Sequence, residues 1–205
     1  MTRISLRGAA LIAAIAASTA LSACAPLIVG GAMLGGTLMV TDRRTSGAQI
    51  EDQAIELKSM NRIRDVIGDR GQVSTTSYNR MVLITGQVPT DADKAAIEQA
   101  VQKVDNVRSI VNELEMIGAG SLTSRSADAI VTSKVKASFV DASDLSANVI
   151  KVVTERGAVY LMGRVTERES NRATEIARGV SGVHKVVKLF EIITEQELAE
   201  MQPKR

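Results

Sequence analysis

The chain reads as an α+β protein built from two tandem copies of a helix, strand, strand, helix, strand module. Three observations predict this: an internal repeat, short β-branched runs bounded by turn residues, and a helix-capping signature at the same place in each copy. Val82-Leu83-Ile84-Thr85-Gly86-Gln87-Val88 lies over Val159-Tyr160-Leu161-Met162-Gly163-Arg164-Val165 at an offset of 77. Val104-Asp105-Asn106-Val107 lies over Val180-Ser181-Gly182-Val183 at an offset of 76, so one residue is gained or lost between the two matches. The copies occupy residues 49–118 and 126–194, with 119–125 as linker and 195–205 as a polar tail that is either a short helical extension or frayed.

In the first copy the elements are a helix over 50–66, strands over 72–76 and 81–85, a helix opened by Thr90 with Asp93 three residues on, and a strand over 109–117. In the second, residues 127–140 carry Ile130, Val131, Val135 and Phe139 at helical spacing, with Lys134 and Lys136 beside them. Residues 149–153 and 158–162 form a hairpin around Glu155-Arg156-Gly157. Thr166 and Glu169 have capping-box spacing and open a helix that buries Ala173, Ile176, Ala177 and Val180. Gly182 ends it, and residues 185–193 form the last strand, one face fully buried and the other partly so. A strand, helix, strand passage is right-handed, so the third strand runs parallel to the second while the hairpin is antiparallel. Each module is then a three-stranded mixed sheet with two helices on one face, a thin core that makes mutual packing of the modules plausible. Gly86 and Gly163, just after the hairpin's second strand, are read as structural.

Residues 1–23 have Arg3 and Arg7 ahead of an apolar run too short to span a bilayer, and then small Ser22 and Ala23, which is the pattern of a signal peptide. Leu21-Ser22-Ala23-Cys24 resembles the lipobox of bacterial lipoproteins. That resemblance implies cleavage before Cys24, diacylglyceryl modification of its thiol and acylation of the new amine, an anchor of several chains. Ala25 follows, not the aspartate that retains such proteins at the inner membrane, which implies the periplasmic face of the outer membrane. Residues 24–48, with Gly30-Gly31 and Gly35-Gly36, read as lipidated N-terminus and flexible tether.

Charge excludes one class of partner. Lys+Arg is 25 against Asp+Glu at 23, but two of the cations belong to the signal segment, and there is no Trp with only two Tyr and two Phe. Neither a basic footprint nor a stacking platform for nucleic acid remains. Residues 48–117 hold eight Lys/Arg against eleven Asp/Glu, and residues 125–194 hold eleven against eight. Drift of solvated faces or a preference of the second half for anionic surfaces would each account for the difference. His184 is the one histidine and Cys24 the one cysteine, so no Cys-His metal set can be assembled, and no nucleophile elbow or phosphate loop is present. The chain is therefore read as a non-enzyme without cofactor or metal.

The hairpin with Gly157 and Gly163, the capped helix behind it and Val180-Ser181-Gly182-Val183 resemble the BON domain, and the first copy has the same pattern with Arg80 in place of the turn glycine. Two such copies behind a lipobox, with Thr41-Asp42-Arg43-Arg44-Thr45 ahead of the first, resemble the dual-BON outer-membrane lipoproteins. That resemblance implies binding of anionic phospholipid by the second module, support of outer-membrane integrity and, in some relatives, enrichment at the division site. Carried onto this chain, the lipid-binding positions are Ile130, Lys134, Val135, Lys136, Phe139 and Val140. Helical spacing requires at least half of the apolar positions here to be core, which favours Lys134, Lys136 and Val140 as the accessible ones. The alternative is an envelope scaffold that binds an outer-membrane assembly protein or a cell-wall regulator.

Overall fold

In a computed structural model, residues 42–116 and 123–201 are described; Cys24, the signal segment and the tether up to 41 lie outside them. Thr45 starts the first helix, α1 (Ser46–Ile67), its hydroxyl accepting from the Ala48 N–H at 3.1 Å. The helix thus begins inside what the sequence assigns to the tether, because a cap needs no apolar stripe. Strands β1 (Gln72–Tyr78) and β2 (Met81–Val88) pair antiparallel across a two-residue turn in which Asn79 and Arg80 both have positive φ, 48° and 66°. That is the primed turn that suits strand twist. Thr90 caps α2 (Asp91–Gln102) by accepting from Asp93 N–H at 3.1 Å, and β3 (Ser109–Met116) returns parallel to β2.

The second module repeats the order with α3 (Thr123–Asp141), a 3-10 turn over Ala147–Val149, β4 (Ile150–Glu155), β5 (Ala158–Val165), α4 (Glu167–Arg178) and β6 (Lys185–Ile192). Arg156 and Gly157 supply the matching positive-φ turn. Thr166 and Glu169 close the capping box in both directions. A short helix, α5 (Glu195–Met201), follows, with Thr194 and Glu197 exchanging hydrogen bonds at its start. Two expectations are corrected. Gly86 and Gly163 lie within β2 and β5, paired with Val73 and Ile150, because the parallel partner extends those strands to Val88 and Val165. A Cβ on Gly86 would come 1.9 Å from the Gln72 carbonyl oxygen, so this position accepts no side chain. And β6 has no fully buried residue, since as an edge strand it is only half covered on either face.

Strand alternation builds two kinds of core. Val82, Ile84 and Val88 of β2 face the helices and pack with Ile55, Ile63, Ile97, Val101 and Leu114. Val159, Leu161 and Val165 of β5 do the same with Val131, Val135, Phe139, Ala173 and Ala177. The intervening residues point the other way, and there Leu83 and Tyr78 of one sheet share a buried cluster with Tyr160 and Met162 of the other. The two sheets therefore pack face to face, and the helices form the two outermost layers on opposite sides. Ion pairs close the rim of the seam: Lys151 to Glu56 at 3.0 Å, Arg156 to Glu115 at 2.7 Å and Lys185 to Glu113 at 3.2 Å. Burial and the neighbouring Glu113 raise the Tyr160 phenol, which stays protonated and donates to that carboxylate. In the three ion pairs acids of the first module meet bases of the second, while Arg108 and Glu191, at 3.5 Å, pair in the opposite sense.

Candidate functional site

At about 100° per residue the third helix divides into two faces. Asp128, Val131, Val135 and Phe139 point inward and are buried. Ile130, Ser133, Lys134, Lys136, Ala137 and Val140 occupy the opposite side. Ile130 is 56 % and Val140 70 % exposed. Two of the expected lipid-binding positions are therefore corrected. Val135 and Phe139 are fully buried core residues, and neither can reach a membrane while the module is folded. Phe139 is accommodated because Ala173 and Ala177 face it; at the same repeat positions the first module packs Ile63 against Ile97 and Val101. The larger side chain on one helix is matched by smaller ones on the other.

What remains outward on α3 is a narrow stripe of apolar and small side chains, with Lys134 along one edge, Lys136 along the other and the exposed Asp141 at its C-terminal end. Among the described residues, neither lysine is engaged in an ion pair. Beside the stripe, α3 and α4 leave an open groove of about 660 Å³ with an apolar floor from Ala137, Ile176 and Val180, Lys134 and Ser181 at one side, and two acids, Asp141 and Glu175, in its lining. Arg172 stands at its far end, already held by Asp144 at 2.9 Å and Glu175 at 3.2 Å. Such an arrangement suits a surface that takes apolar and phosphate groups together, with cations to pair the phosphate.

Two further arrangements escaped sequence reasoning. Asp52 accepts from the turn N–H groups of Asn79 and Arg80 at 2.7 and 2.8 Å, from the Ser77 hydroxyl and from Arg44. Asp128 does the same for Arg156 and Gly157 at 2.7 and 2.9 Å. Each first helix thus staples its own hairpin turn. The signal was present, for the two aspartates stand 76 apart, but helix-face reasoning treats a polar residue as solvated. Burial alone would raise the Asp52 carboxyl; the turn N–H groups, Ser77 and Arg44 outweigh it and hold it below its ordinary value.

The second arrangement lies just ahead of α1. Arg43 forms a bidentate pair with Glu169 at 2.6 and 2.8 Å and donates to the Arg164 carbonyl at 2.9 Å. Arg44 bonds Asp42 and Asp52 and lies over the Tyr78 ring, 4.2 Å from its centroid. The segment that enters the first module is therefore fastened to both modules. Burial would raise Glu169, but Arg43 and the Thr166 N–H more than offset it, and the carboxyl is lowered.

Geometry defines the class: a paired α+β module whose sheets are hidden in the seam and whose helices are presented outward. The family model for the BON domain matches residues 51–118 and 127–194. Over 175 residues the chain is 35 % identical to "Outer membrane lipoprotein DolP" of Haemophilus influenzae, covering 84 % of this chain and 90 % of that one. It is 31 % identical to the "21 kDa hemolysin" of Actinobacillus pleuropneumoniae, over 74 % of this chain and 79 % of the other. It is 27 % identical to "Osmotically-inducible protein Y" of Escherichia coli, over 68 % and 72 %. The chain belongs to the BON-domain family, and within it to the dual-BON outer-membrane lipoproteins. Among the described residues no helix is long and apolar enough to cross a membrane.

Proposed function

We propose that this lipoprotein, anchored through Cys24 on the periplasmic face of the outer membrane, binds anionic phospholipid with the outward face of α3 and so supports the integrity of that membrane. Recognition, not catalysis, is its role. The observation that carries this reading is the outward pair Ile130 and Val140, bounded by Lys134 and Lys136 with no acidic partner among the described residues. A water-exposed apolar pair costs free energy in solution and is relieved in the headgroup boundary, where each nearby cation gains about 1 kcal/mol from an anionic leaflet.

Flotation of the mature chain carrying Cys24→Ser, which removes the acyl contribution, tests it. The expectation is capture by vesicles of phosphatidylcholine and phosphatidylglycerol, little capture by phosphatidylcholine alone, and loss on Lys134→Glu with Lys136→Glu. Equal capture by both vesicle types would contradict the reading. A second reading, a scaffold that binds an envelope protein, draws on the other outer layer, where Ile50 and Leu57 of α1 are 68 % and 66 % exposed one above the other. On that reading these two positions, and not α3, would be the ones whose substitution abolishes association.

A further inference from the structure

The repeat places a lysine at the same point of each first helix, for Lys58 and Lys134 stand 76 apart. Across from them, after the second helix of each module, the corresponding residues differ: Asp105 in the first, Ser181 in the second. In the first module the Lys58 ammonium lies 3.6 Å from the Asp105 carboxylate. In the second, Lys134 and Ser181 line one groove, and Lys134 has no acidic partner among the described residues. Its floor is apolar, from Ala137, Ile176 and Val180, and its other cation, Arg172, is engaged by Asp144 and Glu175. Lys134 is thus, among the described residues, the cation of that groove without an ion pair, with the exposed Asp141 seven residues further along α3.

Resting on the reading of α3 as the lipid-facing element, we propose that Ser181 is a specificity-determining residue that makes the second module, and not the first, competent for an anionic headgroup. Standing where the first module has an acid, it leaves the Lys134 ammonium available to a lipid phosphodiester. It also adds no third carboxylate to a groove that Asp141 and Glu175 already line, where one more negative charge beside Lys134 would repel the leaflet. An exposed ion pair contributes little to stability, so the difference between Asp and Ser here bears on the ligand more than on the fold. The occupant is a lipid in a bilayer, not free phosphate, because Ile130 and Val140 on the adjoining face require an apolar phase.

The test is vesicle partition of the mature Cys24→Ser chain and its Ser181→Asp and Ser181→Asn variants, with circular dichroism confirming the fold of each. Ser181→Asp lowers partition into equimolar phosphatidylcholine and phosphatidylglycerol about fivefold, the effect of one surface cation on binding to an anionic leaflet. Ser181→Asn, similar in size to Asp but neutral, keeps most of the binding. Soluble glycerol phosphate does not compete. Unchanged partition for Ser181→Asp, while Lys134→Glu abolishes it, overturns the role of Ser181 and leaves the lipid reading standing. Equal losses for Asp and Asn show that bulk and not charge matters, which also overturns it. Competition by glycerol phosphate overturns the bilayer occupant, and a wild-type chain that ignores anionic vesicles removes the lipid reading itself.

Discussion

Asp52 shows how much one buried carboxylate can organise. It satisfies two turn N–H groups that would otherwise be orphaned where β1 meets β2, and it holds Arg44 beside Tyr78. Its carboxyl is lowered on folding, so its contribution is complete above the unfolded value, near pH 4, and is lost as the pH falls through the folded one. Glu169, lowered by Arg43 and Thr166, acts in the same direction. Asp52→Asn should therefore cost about 1–3 kcal/mol at pH 7 and lessen the loss of melting temperature between neutral pH and about pH 3. Parallel acid slopes for the wild type and the variant in thermal melts would show that Asp52 does not have this part. Phe139 and Val140 make the sharpest contrast between neighbours. Phe139→Ala should destabilise by about 3–5 kcal/mol in denaturant titration, whereas Val140→Ala should leave stability within about 0.5 kcal/mol and weaken vesicle binding. Similar stability losses at both positions would mean that Val140 is not on the surface.

At the scale of elements, the strands, the hairpins and the capped helices were legible because each has a local cause. Period-two apolar runs, a turn dipeptide and a threonine three residues ahead of an acid are all read without knowing the partner. What stayed illegible was anything decided across the module. Helical spacing alone could not say that Phe139 is core, because that depends on Ala173 and Ala177 arriving from a helix thirty-odd residues away. The Asp42-Arg43-Arg44 segment read as tether, since charged residues before a helix have no periodicity to detect. In the fold, Arg43 ties that segment to the start of α4 in the second module. Removing its side chain leaves Glu169 as a buried charge without its cation, so Arg43→Ala should lower stability by about 3 kcal/mol and expose the seam. Amide exchange at Tyr160 and Met162 reports this directly: faster exchange is expected, and unchanged protection there would show that the strap does not hold the modules together.

In the whole molecule, the seam consumes charge that composition alone would assign to a ligand. Lys151, Arg156 and Lys185 contribute to the basic surplus of the second half, yet each meets an acid of the first. The candidate lipid surface is consequently smaller than the net charge suggests: the outward face of α3 and the groove beside it. Because the sheets are joined in the middle, the outward faces of α1 and α3 point in opposite directions, and a bilayer that receives one leaves the other in the periplasm. Amide signals recorded with phosphatidylglycerol bicelles carrying a spin-labelled lipid test this most directly. The account predicts broadening at Ile130, Lys134, Lys136 and Val140 with Ile50 and Leu57 unaffected; broadening on α1 instead, or on both helices alike, would contradict it.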